Sequence, residues 1–246
     1  MGAFARRVGR PELVGALYPG ARRAEQDALA ISAILAASLR TGSTYVDVGS
    51  NRGQVLAEAV SAAPHARHLA FEPIPALAAE IRAAFPAVEC REMALGAAAG
   101  TAEFCHFRKL DGWSGLRRSP LISDERGDPE YIEVQVSTLD AQLGGLDPTV
   151  VKIDVEGAEL DVLEGGRELL ARAMPLLIFE HVASASELYG AAPDALWELL
   201  AELGYDVLSV TGAGPYTREA FAAEQDVVNW VARPRAAGAA PTAGRP

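Results

Sequence analysis

The chain has 246 residues, half of them hydrophobic, and a formal net charge of −11. A chain of that length and apolar content can bury a substantial core, which excludes intrinsic disorder, and its acidic balance disfavours general binding to phosphate backbones. No apolar run reaches the length of a membrane span, no signal-peptide core follows Arg6 and Arg7, and Arg6 spoils a myristoylation match at Gly2, so a cytoplasmic protein is expected.

Residues 1–20 show little periodicity and contain Pro11, Pro19 and Gly20. A helix is expected over Arg22–Arg40, with Leu29, Ile31, Ile34, Leu35 and Leu39 forming its apolar face and Gly42 stopping it. Strand Thr44–Val48, helix Gln54–Val60, strand His68–Phe71, a helix from Pro75 through Phe85 and a short strand around Val88–Met93 follow. The rhythm then pauses. Thr101–Phe107 and the alternating Tyr131–Val136 are expected strands around a long excursion, which reads as a lid or binding loop. Arg108, Lys109, Arg117 and Arg118 cluster there and read as a solvated loop. Cys90 and Cys105, without CxxC spacing, suggest neither zinc nor a disulfide.

The rhythm resumes with Thr149–Asp154, so apolar that it belongs at the sheet centre. Helix Ala158–Leu170, interrupted at Gly165-Gly166, leads to strand Leu176–Glu180, helix Asp194–Leu203 and strands Tyr205–Val210 and Val227–Ala232. The last two strands, joined by a loop without a clear helix, suggest an antiparallel edge. Alternating strands and helices argue for a doubly wound α/β sheet. Residues 1–42 form an N-terminal helical extension in this reading, 43–233 the main domain, and 234–246 a disordered tail.

Chemistry concentrates at the strand ends. Val46-Asp47-Val48-Gly49-Ser50-Asn51-Arg52-Gly53 couples a strand to a glycine-containing turn and a helix, the layout of a nucleoside site. A dinucleotide site prefers G-x-G-x-x-G for its pyrophosphate, and the carboxylate of Asp47 would repel that group. S-adenosylmethionine, with an ammonium, a sulfonium and one carboxylate, suits the sequence better: Asp47 can accept from the ammonium, and N–H groups at the turn and helix N-terminus can hold the carboxylate. This weighs against a nicotinamide-dependent oxidoreductase. Glu72, ending the second strand, is placed to accept from both ribose hydroxyls. Ala94 and Leu95 are candidates to flank the adenine, and Trp113-Ser114-Gly115 to close over cofactor or substrate.

Asp154, Glu156, Glu180 and His181 stand at the ends of two later strands. Asp154 can face the cofactor's charges or take a proton from an acceptor. His181 is a candidate general base, with Glu180 orienting it or binding substrate. These hard ligands would suit Mg²⁺ or Ca²⁺, but no spacing here is specific for a metal. Lys152 reads as the partner of a neighbouring acid.

Taken in order, these segments resemble the FkbM-type methyltransferases. Val46–Gly53 is similar to the family's cofactor loop and Phe71-Glu72-Pro73 to its ribose-binding strand end. Ala94-Leu95-Gly96, Ser114-Gly115-Leu116 and Ser137-Thr138-Leu139-Asp140 follow in family order, then Val151–Glu159, the most specific piece, and Leu177-Ile178-Phe179-Glu180-His181. The resemblance covers about Thr44–His181 and implies a Rossmann-like class I methyltransferase fold with a mostly parallel sheet. It implies S-adenosylmethionine as cofactor, held by Asp47, Gly49, Ser50, Asn51, Gly53, Glu72, Pro73, Ala94, Leu95, Ser114 and Asp154. The implied reaction is O-methylation of a sugar, glycan or natural-product hydroxyl, with His181, Asp154 and Glu180 as catalytic candidates. A non-catalytic protein on this fold would be marked by a lost loop glycine or cofactor acid, and both are intact.

Overall fold

The computed structural model describes residues 19–236, with side chains from Arg22 onward. The expectations for residues 1–18 and for the tail beyond residue 236 lie outside the described residues. Pro234 and Arg235, assigned to that tail from sequence, are held: Pro234 closes the last strand, and Arg235 Nε donates to Asp206 Oδ1 at 3.0 Å.

Helix α1 (Pro19–Ser38) presents Ile31 and Leu35 one turn apart, and Leu39 continues the row. This row packs with Leu56 and Ala59 of α2 (Gln54–Ala62). Each such buried leucine or isoleucine contributes about 1.5–3 kcal/mol, enough to fix α1 on the sheet. Strands β1 (Thr44–Val48), β2 (Arg67–Phe71) and β3 (Glu89–Arg91) alternate with α2 and α3 (Pro75–Ala84). Pro75 opens α3, where its missing N–H costs nothing.

The excursion is not an insertion into this sheet. Strands β4 (Ala94–Leu95), β5 (Gly100–Phe107) and β6 (Pro129–Ser137) form a separate three-stranded sheet in the order β4-β6-β5. Between β5 and β6 the chain makes helical turns at Asp111–Trp113 and Asp124–Gly127. Phe104 and Val134 of this small sheet pack on Ile74 and Leu77, which anchors it beside β2 and α3.

Strand β7 (Val150–Ile153) is fully buried and pairs in parallel with both β1 and β8 (Leu176–Glu180). The helix expected over Ala158–Leu170 is two helices, α4 (Glu159–Glu164) and α5 (Arg167–Ala173). The two glycines at the break leave no room for a side chain: a Cβ on Gly165 would lie 2.1 Å from the Gly96 carbonyl oxygen, and one on Gly166 would meet Leu139 at 2.8 Å.

After α6 (Ala195–Glu202) the chain runs through β9 (Tyr205–Ser209), a short α7 (Arg218–Ala223) absent from the sequence reading, and β10 (Asn229–Pro234). The main sheet has the order β3-β2-β1-β7-β8-β10-β9. It is parallel except for β10, which runs antiparallel to both neighbours. The antiparallel edge is therefore made by insertion of β10 between β8 and β9. Among the described residues no helix is long and apolar enough to cross a membrane.

Candidate functional site

The strand order reverses between β1 and β7, and open α/β sheets form a crevice outside the strand ends at such a point. A cleft opens there. Gly49 and Asn51, Glu72 and Pro73 at the β2 tip, and Asp154 to Glu156 after β7 line it; Ala94, Leu95, Asp111 and Ser114 complete the wall from the small sheet and its loop.

The turn after β1 is shaped by two glycines at φ +76° and +71°. A Cβ on Gly49 would lie 1.8 Å from the Asp154 carbonyl oxygen, so only glycine lets the turn and the end of β7 touch. Gly53 instead packs toward Phe85, 2.9 Å from where its Cβ would be, and does not line the cleft. The turn's amides are already engaged. Gly49 and Ser50 donate to the Phe71 carbonyl, Asn51 to Glu72, Arg52 to Asn51 Oδ1, and Gly53 to the Ser50 carbonyl. In this arrangement the amides from Gly49 to Gly53 are not available for the anion-holding role expected of them. Ser50 Oγ donates to the Asp47 carbonyl at 3.0 Å, which stiffens the turn from behind.

Glu72 is buried at the β2 tip. Its Oε2 accepts from the Asn51 amide at 2.7 Å and its Oε1 from the Ile74 amide at 2.9 Å. A carboxylate has about four lone-pair sites, so two acceptor positions are left for a diol. Burial raises its pKa to about 7 against the lowering effect of these amides.

Asp47 departs from expectation. Strand alternation puts it on the side of Tyr45, beneath the sheet face that packs on α1 and α2, and off the cleft wall. Its register partner in β7 is Lys152, whose Nζ stands 3.5 Å from Asp47 Oδ1, 3.2 Å from Asp154 Oδ2 and 3.3 Å from the Gly49 carbonyl oxygen. Burial alone would pull the Lys152 pKa down, but Asp154 and Asp47 beside it push it up by more. Burial raises the Asp47 carboxyl, with Lys152 opposing. Asp47 thus anchors the lysine that ties the Gly49 turn to Asp154, and the expected pairing of Lys152 with a neighbouring acid extends to two acids.

Beyond Lys152 the site is acidic. Glu180 does not line the cleft itself but stands behind its wall: Asp154, Glu156 and Glu180 place carboxylate oxygens within 4.8 Å of one another, a donor set of the kind that hard divalent cations accept. Burial, then Asp154 and Glu180, raise Glu156 to about 9; burial, then Asp154, raise Glu180 to about 8. Glu156 is half-buried and joins the cleft wall as a site residue beyond those the resemblance implies. Its backbone is in the left-handed region (φ +57°), which turns it into the cleft.

His181 is not brought to the cleft wall. It lies one residue beyond Glu180 and so takes the opposite face, where its ring stacks on Phe221 at 5.0 Å and Nδ1 meets Ser186 Oγ at 3.2 Å. Burial lowers its pKa to about 4. The cleft also contains residues the sequence reading did not single out as ligand neighbours: Ile74, Met93 and Phe104. Their apolar type is common to core positions, so nothing in the sequence separates them.

A family model described as the methyltransferase FkbM domain matches residues 47–207. No curated protein sequence matches the chain significantly. Among solved structures, an FkbM methyltransferase from Methylobacillus flagellatus superposes with a TM-score of 0.50 at 16% identity, over 79% of this chain and 44% of that one. The chain thus spans less than half the length of that protein. A precorrin-6y C5,15-methyltransferase from Geobacter metallireducens gives 0.45 at 14% identity, over 83% and 87% of the two chains. A TehB-like S-adenosylmethionine-dependent methyltransferase from Corynebacterium glutamicum gives 0.45 at 13%, over 86% and 93%.

Proposed function

This chain belongs to the FkbM methyltransferase family, a family of S-adenosylmethionine-dependent enzymes, and we propose that its cleft directs methyl transfer to a hydroxyl oxygen of a small-molecule or glycan acceptor. The observation that carries the reading is Glu72. It is buried at the tip of β2 and fixed by two backbone amides, with lone pairs left over, in the cleft formed by the Gly49 turn. That is the environment a ribose diol needs. Ala94 and Leu95 offer apolar surface for an adenine, and Asp154 closes the far end.

The cofactor, when bound, supplies an electrophilic methyl on a sulfonium. The chain's own work is to hold an acceptor and manage its proton. Asp154 is the proposed proton acceptor, with Lys152 at 3.2 Å holding its carboxylate in place. Glu156 and Glu180, whose raised pKa values favour protonated carboxyls at neutral pH, are the proposed orienting groups for the hydroxyl. This assigns the base role to Asp154 and leaves His181 to its packing against Phe221. Three clustered carboxyls also suit an acceptor bearing an amine, so an acceptor panel should pair each alcohol with its amine.

The test is isothermal titration with S-adenosylhomocysteine. Wild-type protein is expected to bind it and to ignore NAD, and Glu72→Ala is expected to weaken binding at least tenfold, the loss of roughly one charged hydrogen bond. Unchanged affinity in Glu72→Ala would remove the ribose role.

A further inference from the structure

Glu159 opens α4 and is almost wholly buried, yet it touches neither the cleft nor Lys152. Its Oε1 accepts from the amides of Val155 and Gly157, both at 3.1 Å. These two amides flank Glu156, whose backbone is held at φ +57°. A left-handed non-glycine residue costs on the order of 1–2 kcal/mol and persists only where its surroundings enforce it. Here one carboxylate oxygen grips the chain on both sides of the strained residue. The next residue, Gly157, is at φ +106°, and a Cβ on it would lie 2.6 Å from the Ala185 carbonyl oxygen, so the turn is also wedged from outside. Glu159 Oε2 is buried without a hydrogen-bond partner.

We infer that Glu159 is a positioning residue. By clamping the Val155 and Gly157 amides it sets the Asp154–Gly157 turn as a wall of the cofactor cleft and turns Glu156 into it. The turn it clamps is the one that touches Gly49, so the clamp also bears on the cofactor side of the site. The inference rests on the cofactor reading above only for its binding readout.

Reach and charge separate in two conservative variants. Glu159→Gln keeps the side-chain length and a carbonyl acceptor for both amides. Glu159→Asp keeps the charge but withdraws the acceptor by one methylene. On the full chain, Glu159→Gln is expected to bind S-adenosylhomocysteine within about twofold of wild type, and Glu159→Asp about tenfold more weakly, one hydrogen bond's worth. Amide hydrogen exchange at Val155 and Gly157 is expected to speed up in Glu159→Asp and to stay slow in Glu159→Gln. Wild-type affinity and exchange in Glu159→Asp would overturn the inference, and impairment of Glu159→Gln with Glu159→Asp unaffected would make charge, not reach, the active property. The exchange readout needs no ligand. Were wild-type protein not to bind S-adenosylhomocysteine, the cofactor reading would fall while exchange still decided the role of Glu159.

Discussion

Lys152→Met removes the cation that stands between the buried Asp47 and the half-buried Asp154. The side chain is 9% exposed and that of its partner Asp47 1% exposed, so solvent screening offers little relief. Breaking a buried pair by deleting one partner costs about 3–5 kcal/mol, because a charge is left uncompensated. For a protein of this size each kcal/mol moves Tm by roughly 2–4 °C, so a drop on the order of 10 °C is expected. The loss should depend on pH. Burial already raises the Asp47 carboxyl above its ordinary value, and without the ammonium it rises further. The folded variant then binds that proton more tightly than the unfolded chain does. Its deficit is small where Asp47 is protonated and grows as pH rises above the ordinary aspartate value of about 4. Thermal melts followed by circular dichroism at pH 5 and pH 8 measure this, and adding Asp47→Asn should recover much of the loss. A Tm at pH 8 within about 3 °C of wild type, or an equal drop at both pH values, would refute the reasoning.

The remaining acids give the whole protein a pH signature. Glu72 and Glu159 are raised to about 7, Glu180 to about 8 and Glu156 to about 9, in each case chiefly by burial. Folded pKa values above the unfolded ones mean that these groups' contribution to ligand-free stability is complete below about pH 4 and is lost as pH climbs through 7 to 9; a ligand-free Tm that rises across pH 5–9 would contradict the acid cluster. Arg52 on the turn after β1 donates to Asp111 at 2.5 Å and to Glu80 at 2.8 Å, tying the Asp111–Trp113 loop across the cleft. Arg52 is half exposed, so the tie is worth at most about 1 kcal/mol, and Arg52→Ala should speed S-adenosylhomocysteine release by roughly fivefold in stopped-flow.

The sheet was legible because its signals are local. Thr44–Val48 and Leu176–Glu180 carry their strand character in their own apolar residues, and Gly42 announces the end of α1. Gly49 and Glu72 were legible as residues of the strand-end cleft because turn geometry and a strand-end acid leave marks in sequence. What was not legible depends on partners distant in the chain. Asp47 looked like a cofactor ligand until β7 placed Lys152 beside it. Glu180 and His181 are neighbours in sequence, and only the pleat decides that the acid joins Asp154 while the imidazole meets Phe221. The break between α4 and α5 was legible from its two glycines, but not the neighbours that demand glycine there, the Gly96 carbonyl beside Gly165 and Leu139 beside Gly166.

The insertion of β10 has a consequence for how the molecule assembles. β9 is made before β10 but has no hydrogen-bonding neighbour until β10 arrives, and β8, whose tip carries Glu180, keeps a bare edge for the same interval. Unpaired edges of this kind recruit other strands. The strand edge that carries Glu180 is thus covered late, by the same residues that give β9 its neighbour.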